Sequence, residues 1–263
     1  MELVKKLFRA HKQMGTNSLL FFILKSPKRK LIHWLNNRKL AGANSLEERF
    51  TLIYNDNIWG SIESISGNGS TLSMTESIRL LLPSLLDKFD IGSIFDAPCG
   101  DFNWMSMIDL KAVKYVGGDI VSPLVIELER KFSSETISFI QFDITTMPFP
   151  KSDLVLNRDC LFHLSYLDIL ATLNNFIESE SGYFLSTSYV NDGEFVNSDI
   201  RSGGFRLIDL FEPPFGFPRN FHFQIPEIAE GTLPARNLYL WDRDQVAVAY
   251  SSLNVFLKTQ IGN

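Results

Sequence analysis

Three short apolar segments of this chain each end in an aspartate, at Asp96, Asp119 and Asp143. The first segment runs into a turn that contains Gly100, where the absence of a side chain lets the backbone approach a ligand closely. In an open α/β sheet, ligands bind at the carboxyl ends of the strands. Asp119 follows Asp96 by 23 residues, about the spacing at which a second strand places an acid against a ribose diol. We therefore expect the three carboxylates to line one ligand-binding edge.

Apolar segments alternate with helical ones from residue 93 onward, which is typical of a mostly parallel sheet covered by helices on both faces. The predicted strands are residues 93–96, 113–118, 137–142, 153–157 and 182–188. The predicted helices lie around residues 103–110 and 123–132 and begin again at residue 166. The sequence thus predicts the α/β class.

A further helix is predicted before the first strand, because Ser73 and Glu76 have the spacing of a capping box. We expect Pro83 to kink or break this helix. Its inward side chains should be Ile78, Leu81, Leu82, Leu85 and Leu86.

The composition is that of an ordinary folded protein that can bury one substantial core. Of the 263 residues, 45% are hydrophobic and 21% are charged. The two cysteines, Cys99 and Cys160, lie at predicted strand ends that face the cleft, which argues against a disulfide framework. We therefore expect a reducing, cytoplasmic location.

Residues 1–40 hold ten Lys and Arg against one acid, whereas the rest of the chain holds 15 against 29. This basic segment is amphipathic and rich in aromatic residues, which is typical of contact with an anionic membrane, here the inner face of the cell membrane. The alternative is a helix that packs on the domain or on a second subunit. The acidic remainder argues against nucleic acid as a partner. We predict an extension over residues 1–45 and a domain over residues 46–263.

The run Asp-Ala-Pro-Cys-Gly-Asp at residues 96–101, followed by Asp119, resembles the nucleotide loop of class I S-adenosylmethionine-dependent methyltransferases. The run departs from the commoner Gly-x-Gly form, because Pro98 replaces the first glycine and Asp101 follows the second. The resemblance implies a Rossmann-like, mostly parallel seven-stranded sheet that ends in an antiparallel pair, for which residues 221–225 and 237–241 are candidates.

The same resemblance implies S-adenosylmethionine as the cofactor. Asp119 would bind the ribose and Asp143 the adenine amino group, and the Ser- and Gly-rich loop after residue 61 would cover the methionine end. An ordinary linker remains the alternative for that loop. The predicted cofactor residues are Asp96, Ala97, Pro98, Cys99, Gly100, Gly118, Asp119, Ile120, Asp143, Ile144 and Asn157.

The fourth strand ends in a polar cluster that is the predicted catalytic site. His163 has the intrinsic pKa of a general base for a hydroxyl acceptor. Asp159 either orients His163 or is itself the base, and Arg158 would hold an anionic substrate group. The alternative is that His163 only caps or packs the next helix. No residue spacing suggests a metal site, and we predict none.

The run Gly-Gly-Phe-Arg at residues 203–206 and the Arg-Asp-x-x-x-His-Leu run at residues 158–164 resemble a branch of methyltransferases from bacterial surface-polysaccharide gene clusters. That resemblance implies O-methylation of a sugar or a sugar-linked phosphate group on a glycan or small-molecule acceptor. Methylation of a nitrogen or a small acid remains open. Two rivals are an NAD-dependent sugar-modifying enzyme, disfavoured because Pro98 and Asp101 would meet its phosphates, and a non-catalytic partner protein of the same fold.

Overall fold

A computed structural model describes residues 35–36, 38–59, 61–227 and 233–261. Within them the chain forms a seven-stranded sheet in the order β3-β2-β1-β4-β5-β7-β6. Pairing is parallel from β3 to β5, and β7 runs antiparallel to both β5 and β6. The strands are β1 (Ser93–Asp96), β2 (Lys114–Asp119), β3 (Ile137–Gln141), β4 (Leu154–Asn157), β5 (Tyr183–Tyr189), β6 (Phe223–Pro226) and β7 (Arg236–Asp242). The predicted α/β class, strand positions and terminal antiparallel pair are confirmed.

Helices cover both faces of the sheet because the strands alternate their apolar side chains. Ile94 packs with one apolar cluster and its neighbour Phe95 with the other. The first cluster includes residues of α2 and α3, and the second includes residues of α4 and α5. The helices are α1 (Leu46–Asn55), α2 (Glu76–Lys88), α3 (Ser122–Phe132), α4 (Tyr166–Glu178) and α5 (Arg243–Ile261).

The prediction for the start of α2 is wrong in its details. The helix begins at Glu76 after Thr75, whose hydroxyl donates to the carbonyl of Thr71 at 2.8 Å, so the Ser73 capping box does not form. Pro83 lies inside the helix, which continues to Lys88. Leu81 is only partly buried, unlike the other four predicted inward side chains.

The helix predicted around residues 103–110 is only a single 3₁₀ turn, Met105–Met107. Phe102 adopts a left-handed φ of 58° just before it, and Lys111 adopts 52° just after it. These two reversals of the backbone bound the segment on both sides, because a left-handed φ cannot continue an α-helix.

In the described part of the chain, no helix is both long and apolar enough to cross a membrane. The predicted basic amphipathic segment, residues 1–40, lies mostly outside the described residues, which begin at residue 35. Its described end contacts the domain, because Arg49 Nε donates to the carbonyl of Leu40 at 3.2 Å. The domain boundary after residue 45 stays a prediction.

Candidate functional site

A cavity of about 730 Å³ opens at the carboxyl ends of β1, β2 and β4. This volume lies within the range of small-molecule sites. One half of its wall carries the predicted acids Asp96, Asp119 and Asp143, and the other half carries Arg158, Asp159 and His163, so the fold brings the two predicted sets together. Residues of α1 and of the Ser- and Gly-rich loop complete the wall.

The turn after β1 depends on Gly100, which has a φ of +55°. A Cβ atom there would lie 2.4 Å from the Ser66 hydroxyl oxygen. That hydroxyl accepts a hydrogen bond from the Asp101 N–H at 2.9 Å, and the Asp101 carboxylate accepts one from the Ile65 N–H at 2.9 Å. The Ser- and Gly-rich loop is therefore bonded to the turn as an ordered wall of the cavity, which favours the covering role over that of an ordinary linker.

Asp119 and Asp96 are buried beside this turn, and neither carboxylate forms an ion pair within the described ranges. Asp119 accepts hydrogen bonds from the N–H groups of Gly100 at 3.1 Å and Val121 at 3.0 Å. Asp96 accepts one from the Tyr115 hydroxyl at 2.7 Å. Burial raises the pKa of Asp96 to about 7 and that of Asp119 to about 6. Both carboxylates keep lone pairs that a ligand can use.

Asp143 occupies the third strand end, where its carboxylate accepts hydrogen bonds from the Thr145 N–H at 2.8 Å and hydroxyl at 2.7 Å. Its neighbour Ile144 and the predicted residue Ile120 also line the cavity, as do Pro98 and Cys99. Both cysteines of the chain are free and buried.

Three of the predicted cofactor residues do not line the cavity but support its wall from behind: Ala97, Gly118 and Asn157. Asn157 is fully buried and donates to the carbonyl of Ala97 at 2.7 Å, so its amide joins β4 to the turn after β1. Gly118 provides space, since a Cβ atom there would lie 3.0 Å from carbon atoms of Phe95 and Phe142.

Arg158 and Asp159 belong to a closed ring of ion pairs with Glu227 and Arg236, in which all but the partly exposed Asp159 are buried. Arg158 Nε donates to one Glu227 oxygen at 2.7 Å, and Arg236 Nε donates to the other at 3.1 Å. Arg236 Nη2 reaches Asp159 at 2.9 Å, and Arg158 Nη1 lies 3.4 Å from the same carboxylate oxygen. The two positive and two negative charges cancel.

This ring changes two of the predicted roles. The Arg158 charge is already paired with Glu227, and Arg158 Nη2 also donates to the carbonyl of Gly69 at 2.8 Å. Arg158 therefore connects parts of the fold and is not an unpaired cation. Asp159 does not orient His163 through a hydrogen bond in the described structure. A left-handed φ of 51° at Asp159 accompanies a carboxylate bonded to Arg236 and Thr187 instead.

His163 lies on the cavity wall among aromatic rings. Its ring centroid is 5.5 Å from that of Trp59 and 5.8 Å from that of Phe205. Its Nδ1 is 2.7 Å from the carbonyl oxygen of Gly204. Burial lowers the pKa of His163, which favours the neutral ring. The side chain therefore faces the cavity and is held by a loop. The next helix begins only at Tyr166, so His163 is not its capping residue.

Sequence reasoning missed Glu227, which directly follows β6, and Arg236, the first residue of β7, both far along the chain from Arg158. No local pattern marks them, because their partners are 69 and 77 residues away. It also missed Trp59 as a wall residue. Among the residues that the structure describes, no cluster of three His, Cys, Asp or Glu side chains could hold a metal ion.

No protein-family model and no curated protein sequence matches the chain. Solved structures do match its fold. The 1,6-didemethyltoxoflavin-N1-methyltransferase of Burkholderia thailandensis, with 1,6-didemethyltoxoflavin and S-adenosylhomocysteine bound, gives a TM-score of 0.56 at 13% identity, over 75% of this chain and 86% of that chain. The magnesium protoporphyrin IX methyltransferase of Synechocystis PCC 6803, with bound S-adenosylhomocysteine, gives 0.50 at 12% identity, over 76% of this chain and all (100%) of that chain.

The human N-acetylserotonin methyltransferase in complex with S-adenosylmethionine matches at a TM-score of 0.49 and 15% identity, over 78% of this chain and 66% of the human chain. Two observations identify the same fold. One is the sheet order with its antiparallel β7, and the other is the likeness to the Burkholderia and Synechocystis structures. This chain therefore has the Rossmann-like fold of the class I S-adenosylmethionine-dependent methyltransferases.

Proposed function

We propose that this protein is an enzyme that uses S-adenosylmethionine to methylate an oxygen of a sugar or a related small molecule. The observation that carries the proposal is the buried Asp119 carboxylate at the end of β2, beside the Gly100 turn, which forms no ion pair with any described residue. A carboxylate has about four acceptor positions, so Asp119 retains capacity for two ribose hydroxyls after its two backbone bonds. The Burkholderia and Synechocystis methyltransferases have S-adenosylhomocysteine bound, which supports S-adenosylmethionine as the cofactor here.

The residues present fit that cofactor. Asp96, Gly100 and Asp119 would hold its methionine and ribose portions, and Asp143 its adenine, with Ser66 and its loop above them. When bound, the cofactor supplies a methyl group on a sulfonium centre. The protein's own contribution is alignment, since transfer of that group needs the acceptor oxygen in line and water excluded.

The acceptor would occupy the half of the cavity beside His163. Trp59 and Phe205 line the cavity near His163, and aromatic rings suit the apolar face of a sugar. His163 is the base that we propose removes the hydroxyl proton. Arg158 and Arg236 are paired with Glu227 and Asp159, so their positive charges are already neutralised and do not favour an anionic substrate group. This pairing supports a sugar hydroxyl as the acceptor over a sugar-linked phosphate.

The resemblance of the Gly-Gly-Phe-Arg and Arg-Asp-x-x-x-His-Leu runs to enzymes of surface-polysaccharide gene clusters supports glycan biosynthesis as the setting. The basic segment at residues 1–40 would then keep a cytoplasmic enzyme near the inner face of the membrane, where lipid-linked glycans are assembled.

The first experiment is calorimetric titration of the full chain with S-adenosylhomocysteine. Asp119→Asn removes the carboxylate with little change of shape, and should weaken binding about ten- to a hundredfold, because a hydrogen bond to a charged acceptor contributes about 1.5–3 kcal/mol. Asp153→Asn is the matched control. Asp153 also accepts a backbone N–H, from Gly92 at 3.0 Å, but precedes β4 at the opposite edge of the sheet. Absence of binding by folded wild-type protein, or equal effects of the two variants, would contradict the proposal.

The role of His163 is tested with His163→Gln, assayed for transfer of labelled methyl groups to a panel of neutral glycosides. General-base catalysis contributes about 10²–10⁴-fold, so the variant should lose about that much activity while its affinity for S-adenosylhomocysteine is unchanged. Activity within a few-fold of wild type would show that His163 is not the base.

A further inference from the structure

The loop of residues 203–206 holds the turn that carries His163. The Gly203 N–H donates to the His163 carbonyl at 2.7 Å, and His163 Nδ1 lies 2.7 Å from the Gly204 carbonyl oxygen. A carbonyl oxygen can only accept a hydrogen bond, so Nδ1 must carry the ring proton. In the neutral ring, Nε2 is then the nitrogen with a free lone pair, which is the nitrogen that can take a proton from a substrate.

Arg206 ends this loop in an environment that satisfies only part of its guanidinium group. Its backbone N–H and its Nη1 both donate to the carbonyl of Phe162, at 3.2 and 3.3 Å. Its Nε and Nη2 are buried without a hydrogen-bond partner, and no carboxylate of the described residues lies within ion-pair distance of it. Its guanidinium carbon lies 5.4 Å from the ring centroid of Tyr166. A buried charge with two unused donors destabilises a fold, so Arg206 calls for a role other than stability.

We propose that Arg206 is a positioning residue for His163, which together with Gly203 and Gly204 fixes the Phe162–His163 turn in the arrangement that leaves Nε2 ready to accept a proton. This inference rests on the proposed function of His163 as the base. Neighbouring residues of the loop have different roles. The Phe205 ring lines the cavity, whereas Arg206 does not line it and acts through the turn.

The positive charge of Arg206 also favours the neutral form of the His163 ring. Burial is the largest cause of the lowered pKa of His163, and the positive charges of Arg206 and Arg236 lower it further. The Gly204 carbonyl and the Asp159 carboxylate act in the opposite direction. Removing the Arg206 charge should therefore raise the pKa of His163, which would leave less of the neutral ring at a given pH.

Nitrogen-15 NMR of the full chain labelled at histidine tests both parts. His163→Gln assigns the signal, and the wild-type ring should show protonated Nδ1 and unprotonated Nε2. Arg206→Met keeps the length of the side chain and removes its charge, so the pKa of His163 should shift upward. Arg206→Lys keeps the charge and should leave that pKa close to wild type. Arg219→Met is the matched control, since Arg219 also lies over a ring, that of Phe211 at 4.9 Å, but is exposed.

A wild-type ring protonated at Nε2, or a His163 pKa that Arg206→Met leaves unchanged, would overturn the proposal. So would stabilisation by inorganic phosphate of wild type but not of Arg206→Met, because Arg206 would then be an anion site. If Arg206→Met does not fold, the wild-type tautomer and Arg206→Lys still decide the matter. Calorimetry with S-adenosylhomocysteine separates this test from the proposed function, since the tautomer is observed without any cofactor.

Discussion

The two halves of the cavity use their charged side chains in different ways. In the carboxylate half, formed by Asp96, Asp119 and Asp143, the hydrogen bonds that the acids accept from described residues all come from neutral donors. In the ion-pair half, formed by Arg158, Asp159, Arg236 and His163, the charges are paired with one another or through Glu227. The first half therefore keeps its charge for a ligand. The second half uses its charge to hold the fold, so that recognition there depends on His163 and the aromatic rings.

The largest expected effect is on the ion-pair half. Glu227→Ala leaves two buried guanidinium groups with one carboxylate fewer, and should lower the free energy of unfolding by about 3–5 kcal/mol. Urea denaturation measures it. Glu212→Ala is the control, because Glu212 pairs with Arg219 on the surface and such pairs contribute about 0–1 kcal/mol. Similar losses in the two variants would mean that the ring does not stabilise the fold.

In the carboxylate half, the next effect is expected at Gly100. Gly100→Ala places a methyl group where a left-handed φ of +55° disfavours it and where Ser66 lies 2.4 Å away. Gly193→Ala has the same disadvantage of φ, at +88°, with nothing within 4 Å. Each should cost about 1–2 kcal/mol for its backbone conformation. Only Gly100→Ala should cost more than that and also weaken the binding of S-adenosylhomocysteine, measured by calorimetry. Equal behaviour of the two variants would separate the turn from the binding site.

The acids of the carboxylate half predict opposite effects of pH on stability and on binding. Burial raises the pKa of Asp96 to about 7 and of Asp119 to about 6 in the folded state, above the value near 3.8 of an ordinary aspartate. The folded protein then binds more protons than the unfolded chain between about pH 4 and 7, so this contribution to stability is present at low pH and is lost as the pH rises through 6 to 7.

Binding should respond in the opposite direction, because the ionised Asp119 is the better acceptor for two hydroxyls. Thermal unfolding with and without S-adenosylhomocysteine, at pH 5 and pH 8, should show a larger stabilisation by the ligand at pH 8, with about pH 6–7 as the transition. Asp119→Asn should remove much of this dependence. A stabilisation that is the same at both pH values would contradict the assignment of Asp119.

The same contrast explains what the sequence could predict. The strand ends at Asp96 and Asp119 were predictable because apolar runs, glycine and an acid are adjacent in the chain and act locally. The relation between Asp159 and His163 was not predictable, although the two residues are only four positions apart. The partner of Asp159 is Arg236, 77 residues away, and the partner of His163 Nδ1 is Gly204, 41 residues away. Local patterns identify which residues reach the cavity, but long-range hydrogen bonds decide what each one does.

The start of α2 shows a related limit of local sequence signals. Ser73 has the spacing of a capping residue, but Thr75 bonds back to Thr71 and the helix begins after it. Competing side-chain to backbone bonds of similar strength cannot be ranked from residue types alone.

The smallest expected effect is the one that most sharpens the division of the cavity. Trp59 lines the ion-pair half, with its ring centroid 5.5 Å from that of His163 and 6.4 Å from that of Phe50. Trp59→Phe keeps an aromatic face and should leave the affinity for S-adenosylhomocysteine unchanged within the error of calorimetry, because none of the carboxylates that we propose hold the cofactor is hydrogen-bonded to this ring in the described structure. It should instead weaken methyl transfer to glycosides, since the smaller phenyl ring stacks on less of the sugar face than the indole ring does. If Trp59→Phe weakens the cofactor analogue as much as Asp119→Asn does, the cofactor extends into the ion-pair half, and the acceptor must bind elsewhere on the wall.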